Sequence, residues 1–226
     1  MKTTYLAIVL LPLIAAAIAG LGQRWISRTV AHTLTIGAVG IAFALSCVVF
    51  KHAVVDGNVD NLSVYTWMVT GGLKMEIGFL VDSLTAIMMV VVTFVSLMVH
   101  VYTVGYMHDD PGYTRFFSYI SLFTFSMLML VMANNFMQLF FGWEAVGLVS
   151  YLLIGFWYTR ESAIFANLKA FLVNRVGDFG FLLGIAGVLL MFGSLDYGIV
   201  FANAPSIVGM KMAIVPGYEW SIATVM

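Results

Sequence analysis

The sequence predicts an all-α polytopic membrane protein: six transmembrane helices, the start of a seventh, and a small β-hairpin outside the bilayer. Composition is the first observation behind this. Of 226 residues, 62% are hydrophobic and only 9% charged, where soluble domains run about 45–50% apolar and about 25% charged. Mean hydropathy is +1.02. The second is the length of the uncharged runs. No Asp, Glu, Lys or Arg occurs from Thr3 to Gln23, Thr29 to Phe50, Ser83 to His108 or Phe116 to Trp143. At about 1.5 Å of rise per residue, each run can cross about 30 Å of hydrocarbon as a helix. The third is a short stretch of period-two alternation between the second and third runs.

The six spans fall at 4–22, 29–51, 82–106, 115–133, 136–157 and 165–192. Lys2 and the apolar run after it loosely fit a secretory signal, but the run is too long and lacks a clear cleavage site. Thr4 to Leu21 is therefore a retained first helix, and Ala15 to Ala17, Ala19 and Gly20 suit close helix packing. Asp82 is placed to cap the third helix. The hairpin occupies 62–79. Val64 to Thr70 is rich in β-branched and aromatic residues, Gly71-Gly72 makes the turn, and Leu73, Met75, Ile77 and Phe79 alternate with Lys74, Glu76 and Gly78. It reads as a structured cover on the membrane surface, with contact to a neighbouring subunit as the functional alternative. A surface segment, 195–218, contains Pro205, Pro216, several glycines and one short helix near 195–202. Residues 219–226 read as the first two turns of a seventh helix, so the sequence is expected to belong to a longer chain.

Composition also excludes several functions. The net charge of −1 offers no patch for nucleic acid, and the single Cys47 permits neither a disulfide framework nor a cysteine-held iron–sulfur cluster. No phosphate-binding loop, dinucleotide fingerprint or hydrolase triad is present, and the histidines show no metal-ligand spacing. Orientation is finely balanced. An external N-terminus puts Arg24, Arg28, Arg115 and Arg160 inside and Lys2, Lys51, Lys74 and Lys211 outside, four against four. Discounting the lysines of long loops leans toward that arrangement.

Apart from charges at the very ends of spans, four lie inside them: Glu144, Lys169, Arg175 and Asp178. An ionisable group at the bilayer centre costs roughly 2.5–3.5 kcal/mol on insertion scales and normally faces protein or water for a functional reason. Glu144 and Asp178 are each 17 residues from Glu161 in the connecting loop. In antiparallel helices such residues share a depth, about 20 Å from that surface by helical rise. On span six, Asn167, Asn174, Arg175 and Asp178 form one polar sector, while Gly177, Gly180, Gly184 and Gly187 form an opposite stripe expected to press on a neighbouring backbone. On span five, Glu144, Gly147, Tyr151, Gly155 and Tyr158 share a face able to hold ordered water. Glu144 has no opposite charge in its own span and lies too deep to snorkel, so the proton-carrying reading leads. Arg175 and Asp178 read equally as a structural ion pair or as part of a relay. Lys169 reads as a snorkelling lysine or a relay group. His100 reads as an interfacial histidine near Tyr102 and Tyr106, with a proton wire as the alternative.

Three motifs carry a family resemblance: Tyr113-Thr-Arg-Phe-Phe-Ser-Tyr119, Ala133-Asn-Asn-Phe136, and the run Gly142-Trp-Glu-Ala-Val-Gly through Tyr158, strengthened by Lys169-Ala-Phe-Leu-Val-Asn-Arg-Val-Gly-Asp178. Together they resemble the L subunit of bacterial NADH–quinone oxidoreductase, respiratory complex I, and its mitochondrial chain 5 equivalent. The resemblance implies an antiporter-like subunit of the membrane arm in the bacterial inner membrane, with the N-terminus and hairpin on the periplasmic face. It implies proton translocation driven by quinone reduction elsewhere in the complex. NADH, FMN, iron–sulfur clusters and quinone would belong to partner subunits, with no cofactor in this chain. The partners implied are other membrane-arm subunits, especially the adjacent antiporter-like one, besides the lipid bilayer. Glu144 matches the family's fifth-helix glutamate, and Arg175 and Asp178 its sixth-helix pair. The family's glutamate pairs with a seventh-helix lysine beyond Met226. Two other functions fit the same residues: the large subunit of a multisubunit Na⁺/H⁺ antiporter, and a structural spacer in which Glu144 stays protonated.

Overall fold

A computed structural model describes residues 1–71, 73–215 and 218–221. Six helices in it are long and apolar enough to cross a membrane. They are α1 (Lys2–Leu21), α2 (Arg28–Phe50, continued by a π-helical turn Lys51–Val55), α3 (Ser83–Tyr106), α4 (Tyr113–Val131), α5 (Phe136–Ile154) and α6 (Glu161–Phe192). Strands β1 (Asp60–Thr70) and β2 (Leu73–Val81) stand between α2 and α3; a short α7 (Tyr197–Asn203) and a pair β3 (Lys211–Val215) and β4 (Tyr218–Ser221) follow α6.

Polar caps set the helix starts. Ser27, Asp82 and Asn135 accept hydrogen bonds from Val30 N, Thr85 N and Gln138 N, each three residues on. Gly193 ends α6 in the left-handed conformation, φ 63°, which costs glycine little. The 32 residues of α6 extend about 48 Å at helical rise, well past the hydrocarbon thickness. The helix begins at Glu161, four residues before the sequence-predicted start, because nothing in Glu161-Ser-Ala-Ile breaks a helix.

The helices run up and down, gathering the N-terminus and the loops at two poles. At one pole Arg28 donates to the carbonyls of His108 (2.6 Å) and Asp110 (3.2 Å), and Trp157 Nε1 donates to Asp110 Oδ2 (2.8 Å). Trp157, then the Gly112 N–H and the charges of Arg115 and Arg160, hold the Asp110 carboxyl below the usual carboxylate range against the opposing effect of burial. At the other pole sits the hairpin. It pairs Thr70 with Leu73 around Gly71 (φ 56°) and carries two register shifts in β1. Lys2 Nζ donates to Ser63 O (3.3 Å) and Tyr5 Oη to Asp60 Oδ2 (2.5 Å), so the N-terminus and hairpin share a face. The Asn-Asn motif secures the opposite side. Asn134 Nδ2 reaches Asn61 Oδ1 (3.1 Å) and Glu76 Oε1 (3.3 Å), Asn135 Nδ2 reaches Glu76 O (2.9 Å), and Gln138 Oε1 accepts from Gly78 N (2.8 Å). Burial pushes Glu76 up, but its bonds with Lys74, Ser63 and Asn134 outweigh it and leave the carboxyl below its ordinary value.

The core lies among α1 to α4 and β2, with Tyr5, Ile8, Val49, Phe79, Met89 and Leu128 buried together. The small residues of α1 do allow close approach: Ser118 Oγ of α4 donates to the Ala16 carbonyl at 2.7 Å.

Four sequence expectations change. Tyr218–Ser221 is a strand paired with Lys211–Val215, not the start of a seventh helix. The preceding strand, Lys211–Val215, offers the ladder partners for these residues; the rest of the expected helix, 222–226, lies outside the described residues. Three of the four α6 glycines press on no neighbour among the described residues: a Cβ added at Gly177, Gly180 or Gly184 meets nothing within 4 Å. α6 turns its polar sector to α5 instead, because an ion pair joins those faces. His100 is fully buried between α3 and α4, not interfacial. Its Nδ1 faces Ser96 O (2.8 Å) and therefore carries the proton, leaving Nε2 to accept from Ser121 Oγ (2.9 Å). Last, Glu144 is not without a partner.

Candidate functional site: an intramembrane charge cluster

The site is built by α5 and α6. Gly142 faces α4 so closely that an added Cβ would lie 2.7 Å from Leu130 Cα. At 100° per residue, Glu144 points about 200° away from that contact, toward α6. There Arg175 Nη1 donates to Glu144 Oε2, and also to Asp178 Oδ2 at 3.3 Å. Trp143 Nε1 donates to Asp178 Oδ1 at 2.7 Å. The guanidinium lies over the Phe171 ring, 4.8 Å from its centroid. The common depth inferred from equal spacing about Glu161 is thus realised as direct contact. One guanidinium serves two carboxylates, so the cluster carries a formal charge of −1 with both acids ionised.

The cluster is partly covered, with side-chain exposures of 24% for Glu144, 38% for Arg175 and 13% for Asp178. Beside it a cleft of about 420 Å³ is lined by Trp143, Gly147, Ser150, Asn174, Gly177 and Asp178. The cleft thus mixes polar groups with small residues that leave room for water. Lys169 stands apart: it is exposed, nine residues before Asp178 and on the opposite side of the helix, with no hydrogen bond or ion pair among the described residues. Of the four residues singled out in the sequence, three converge and Lys169 does not. Sequence reasoning overlooked Trp143 as a donor and Phe171 as the ring beneath Arg175. The spacing Asn167, Phe171, Arg175, each four residues after the last, was the available signal for the second.

Two family models match the chain. The model for the complex I NADH-ubiquinone oxidoreductase chain 5 N-terminus matches residues 67–117. That for the NADH:quinone oxidoreductase/Mrp antiporter transmembrane region matches 133–218. NADH-quinone oxidoreductase subunit L of Neisseria meningitidis serogroup B is 61% identical over 99% of this chain. The chain belongs to the subunit L (chain 5) family. NADH-ubiquinone oxidoreductase chain 5 of Dictyostelium discoideum, within the same family, is 44% identical over 97% of the chain. The chain spans about a third of the length of these relatives, 34% and 33% respectively. In fold it is similar to a chain of the membrane-bound sulfane sulfur reductase, an archaeal respiratory membrane complex. That match has a TM-score of 0.77 at 15% identity, covering 89% of this chain and 40% of the other. Family membership and six apolar helices make this a multi-pass membrane protein.

Proposed function

We propose that the chain forms part of a proton-translocating membrane subunit of NADH–quinone oxidoreductase in a bacterial inner membrane, and that the Glu144–Arg175–Asp178 cluster carries the proton step. The observation that carries the reading is the sharing of Arg175 by two acids at mid-membrane depth. When Glu144 takes up a proton, Arg175 retains only Asp178 as an anionic partner. When Glu144 releases it, the guanidinium is again shared. Protonation thus shifts the position of a long cationic side chain, and a field or conformational change that moves Arg175 shifts the proton affinity of Glu144 in return. Redox chemistry with NADH, FMN, iron–sulfur clusters and quinone is assigned to partner subunits, and the adjacent antiporter-like subunit is the expected neighbour. The N-terminal, hairpin-bearing pole is assigned to the periplasm and the arginine pole to the cytoplasm. Lys169 is retained in the proposal only as a surface-facing group available to helices of other segments.

Identity of 44–61% with subunit L and chain 5 along nearly the whole chain favours this reading over an antiporter subunit. The test is Glu144→Gln in the complete subunit within its assembled complex, which keeps side-chain size but removes the titrating proton. Proton pumping should fall strongly while assembly stays near normal. Unchanged pumping would establish the spacer reading instead.

A further inference from the structure

Toward the arginine pole, between α4, α5 and α6, lies a second and smaller cavity. It measures about 220 Å³ and is lined by Arg115, Tyr119, Tyr151, Tyr158 and Asn167, among others. Two of its polar atoms are buried without a hydrogen-bond partner: Arg115 Nε, a donor, and Asn167 Oδ1, an acceptor. Asn167 is itself only 9% exposed, and its side chain occupies the space a Cβ at Gly155 would take. Arg115 is fixed in place, donating from Nη2 to Phe156 O at 3.2 Å and lying over the rings of Phe156 (4.6 Å) and Tyr158 (5.4 Å). An orphaned buried donor or acceptor costs about 1–3 kcal/mol, so a donor and an acceptor left open on one cavity point to one kind of occupant. Water both accepts from Arg115 and donates to Asn167. A lipid phosphate or simple anion would satisfy Arg115 and leave the carbonyl of Asn167 facing negative charge. The space is ample, since one water needs roughly 10–15 Å³ by the same measure.

The cavity leads toward the charge cluster along one face of α6. Asn167, Phe171 and Arg175 follow at one-turn intervals, with Asp178 on the same side. Tyr151, on the cavity wall, packs edge-on against Phe171 with ring centroids 5.3 Å apart, and Arg175 lies over the same ring at 4.8 Å. The apolar Phe171 ring thus touches both a wall of the polar cavity and the cation of the cluster.

We propose that the cavity beneath Arg115 is a water site, and that the Phe171 ring is the gate between its water and the Glu144–Arg175–Asp178 cluster. This rests on the proton-moving reading of that cluster. Phe171 acts by position: with its ring between Tyr151 and Arg175 no water file connects the two, and a rotation of its side chain opens one.

The test uses the full-length subunit in its assembled complex, reconstituted in liposomes with a pH-sensitive dye. Phe171→Ala should raise the passive proton leak of resting vesicles several-fold and lower the protons moved per NADH. Adding Glu144→Gln to it should return the leak to baseline, because the opened path ends on that carboxyl. Phe171→Leu keeps an apolar plug and should keep the leak low. Wild-type leak and coupling in assembled Phe171→Ala would overturn the gate, and so would equal leaks in the Ala and Leu variants. Asn167→Leu, equal in size but without the carbonyl, should slow pumping at unchanged assembly, and Asn167→Ser should restore part of the rate; wild-type pumping in Asn167→Leu would overturn the water site, including where Phe171→Ala does not assemble. Glu144→Gln alone, in the same vesicles, reports separately on the parent reading.

Discussion

The sharing of Arg175 fixes an order among three substitutions that a simple pair would not. Glu144→Gln leaves Arg175 paired with Asp178, and Asp178→Asn leaves it paired with Glu144, so neither strands a charge. Arg175→Gln strands two carboxylates at once. Removing one partner of a fully buried ion pair costs about 3–5 kcal/mol. These side chains keep between 13% and 38% of their exposure, which reduces the figure to about 2 kcal/mol per stranded acid after allowance for the partial cover. Two stranded acids then cost about 4 kcal/mol, and adding Glu144→Gln to Arg175→Gln should recover about half of it, roughly a 30-fold change in an equilibrium constant. The assay is the yield of assembled complex from mild detergent, with apparent denaturation temperature as a second measure. The expected order of loss is Arg175→Gln, then Arg175→Gln with Glu144→Gln, then either acid variant alone. Wild-type assembly of Arg175→Gln, or an acid variant as damaged as Arg175→Gln, would refute the shared-cation argument.

Gly142→Ala inserts a Cβ 2.7 Å from Leu130 Cα, about 0.7 Å short of the 3.4 Å of ordinary contact. Overpacking of about 1–3 kcal/mol, offset by about 1 kcal/mol of helix propensity, should lower stability modestly and shift Trp143 and Glu144 enough to reduce pumping; wild-type values for both would show that α4 and α5 are not held at that spacing. Asp110 is held below the ordinary aspartate value of 3.8 chiefly by Trp157, so its contribution to the arginine pole is present above that pH and lost as pH falls through the lower folded value. A fluorine label on Trp157 followed by NMR should show no transition above that value and one below it, absent in Asp110→Ala; a transition near neutral pH would contradict the assignment.

What the sequence disclosed depended on whether a property belonged to one helix or to a relation between helices. The six spans, the Gly71 turn and the Asp82 cap are local, and the structure has them, although α6 starts four residues earlier and α5 ends three residues earlier than the sequence suggested. The depth of Glu144 and Asp178 was also legible, because equal counts from one loop fix a common level without any knowledge of packing. The packing partner of each face was not. Gly177, Gly180 and Gly184 of α6 read naturally as part of a contact stripe, yet among the described residues α5 meets that stretch of α6 through the polar face. His100 shows the same limitation. Its proximity in sequence to Tyr102 and Tyr106 suggested an interface, but the Ser121 hydroxyl of α4 and the Ser96 carbonyl supply the partners that make burial tolerable. Glu144 was read as lacking a counter-charge because the search stayed within its own helix, while its partner lay on the next.

The motifs behind the family resemblance acquire a physical division of labour along α5. Asn135 caps the helix and ties it to the hairpin through Glu76 O, and Gln138 repeats the tie one turn later through Gly78 N. Gly142 then sets the distance to α4. These three occupy one side of α5 at intervals of three and four residues, which fixes the helix's rotation and its height relative to the pole. Trp143 and Glu144 have no such fixed neighbours on that side; both project to α6, where Asp178 and Arg175 receive them. The consecutive residues Gly142-Trp143-Glu144 therefore face two different helices. Their adjacency converts the rigid α4–α5 contact into a defined position for a titratable carboxyl. Among the described residues the Arg175–Glu144 contact alone joins this acid to an opposite charge, so a movement of α6 against α5 would change that contact first. On the proposed function, a displacement of α6 against α5 is the route by which a distant conformational change would reach Glu144 without unfolding its surroundings.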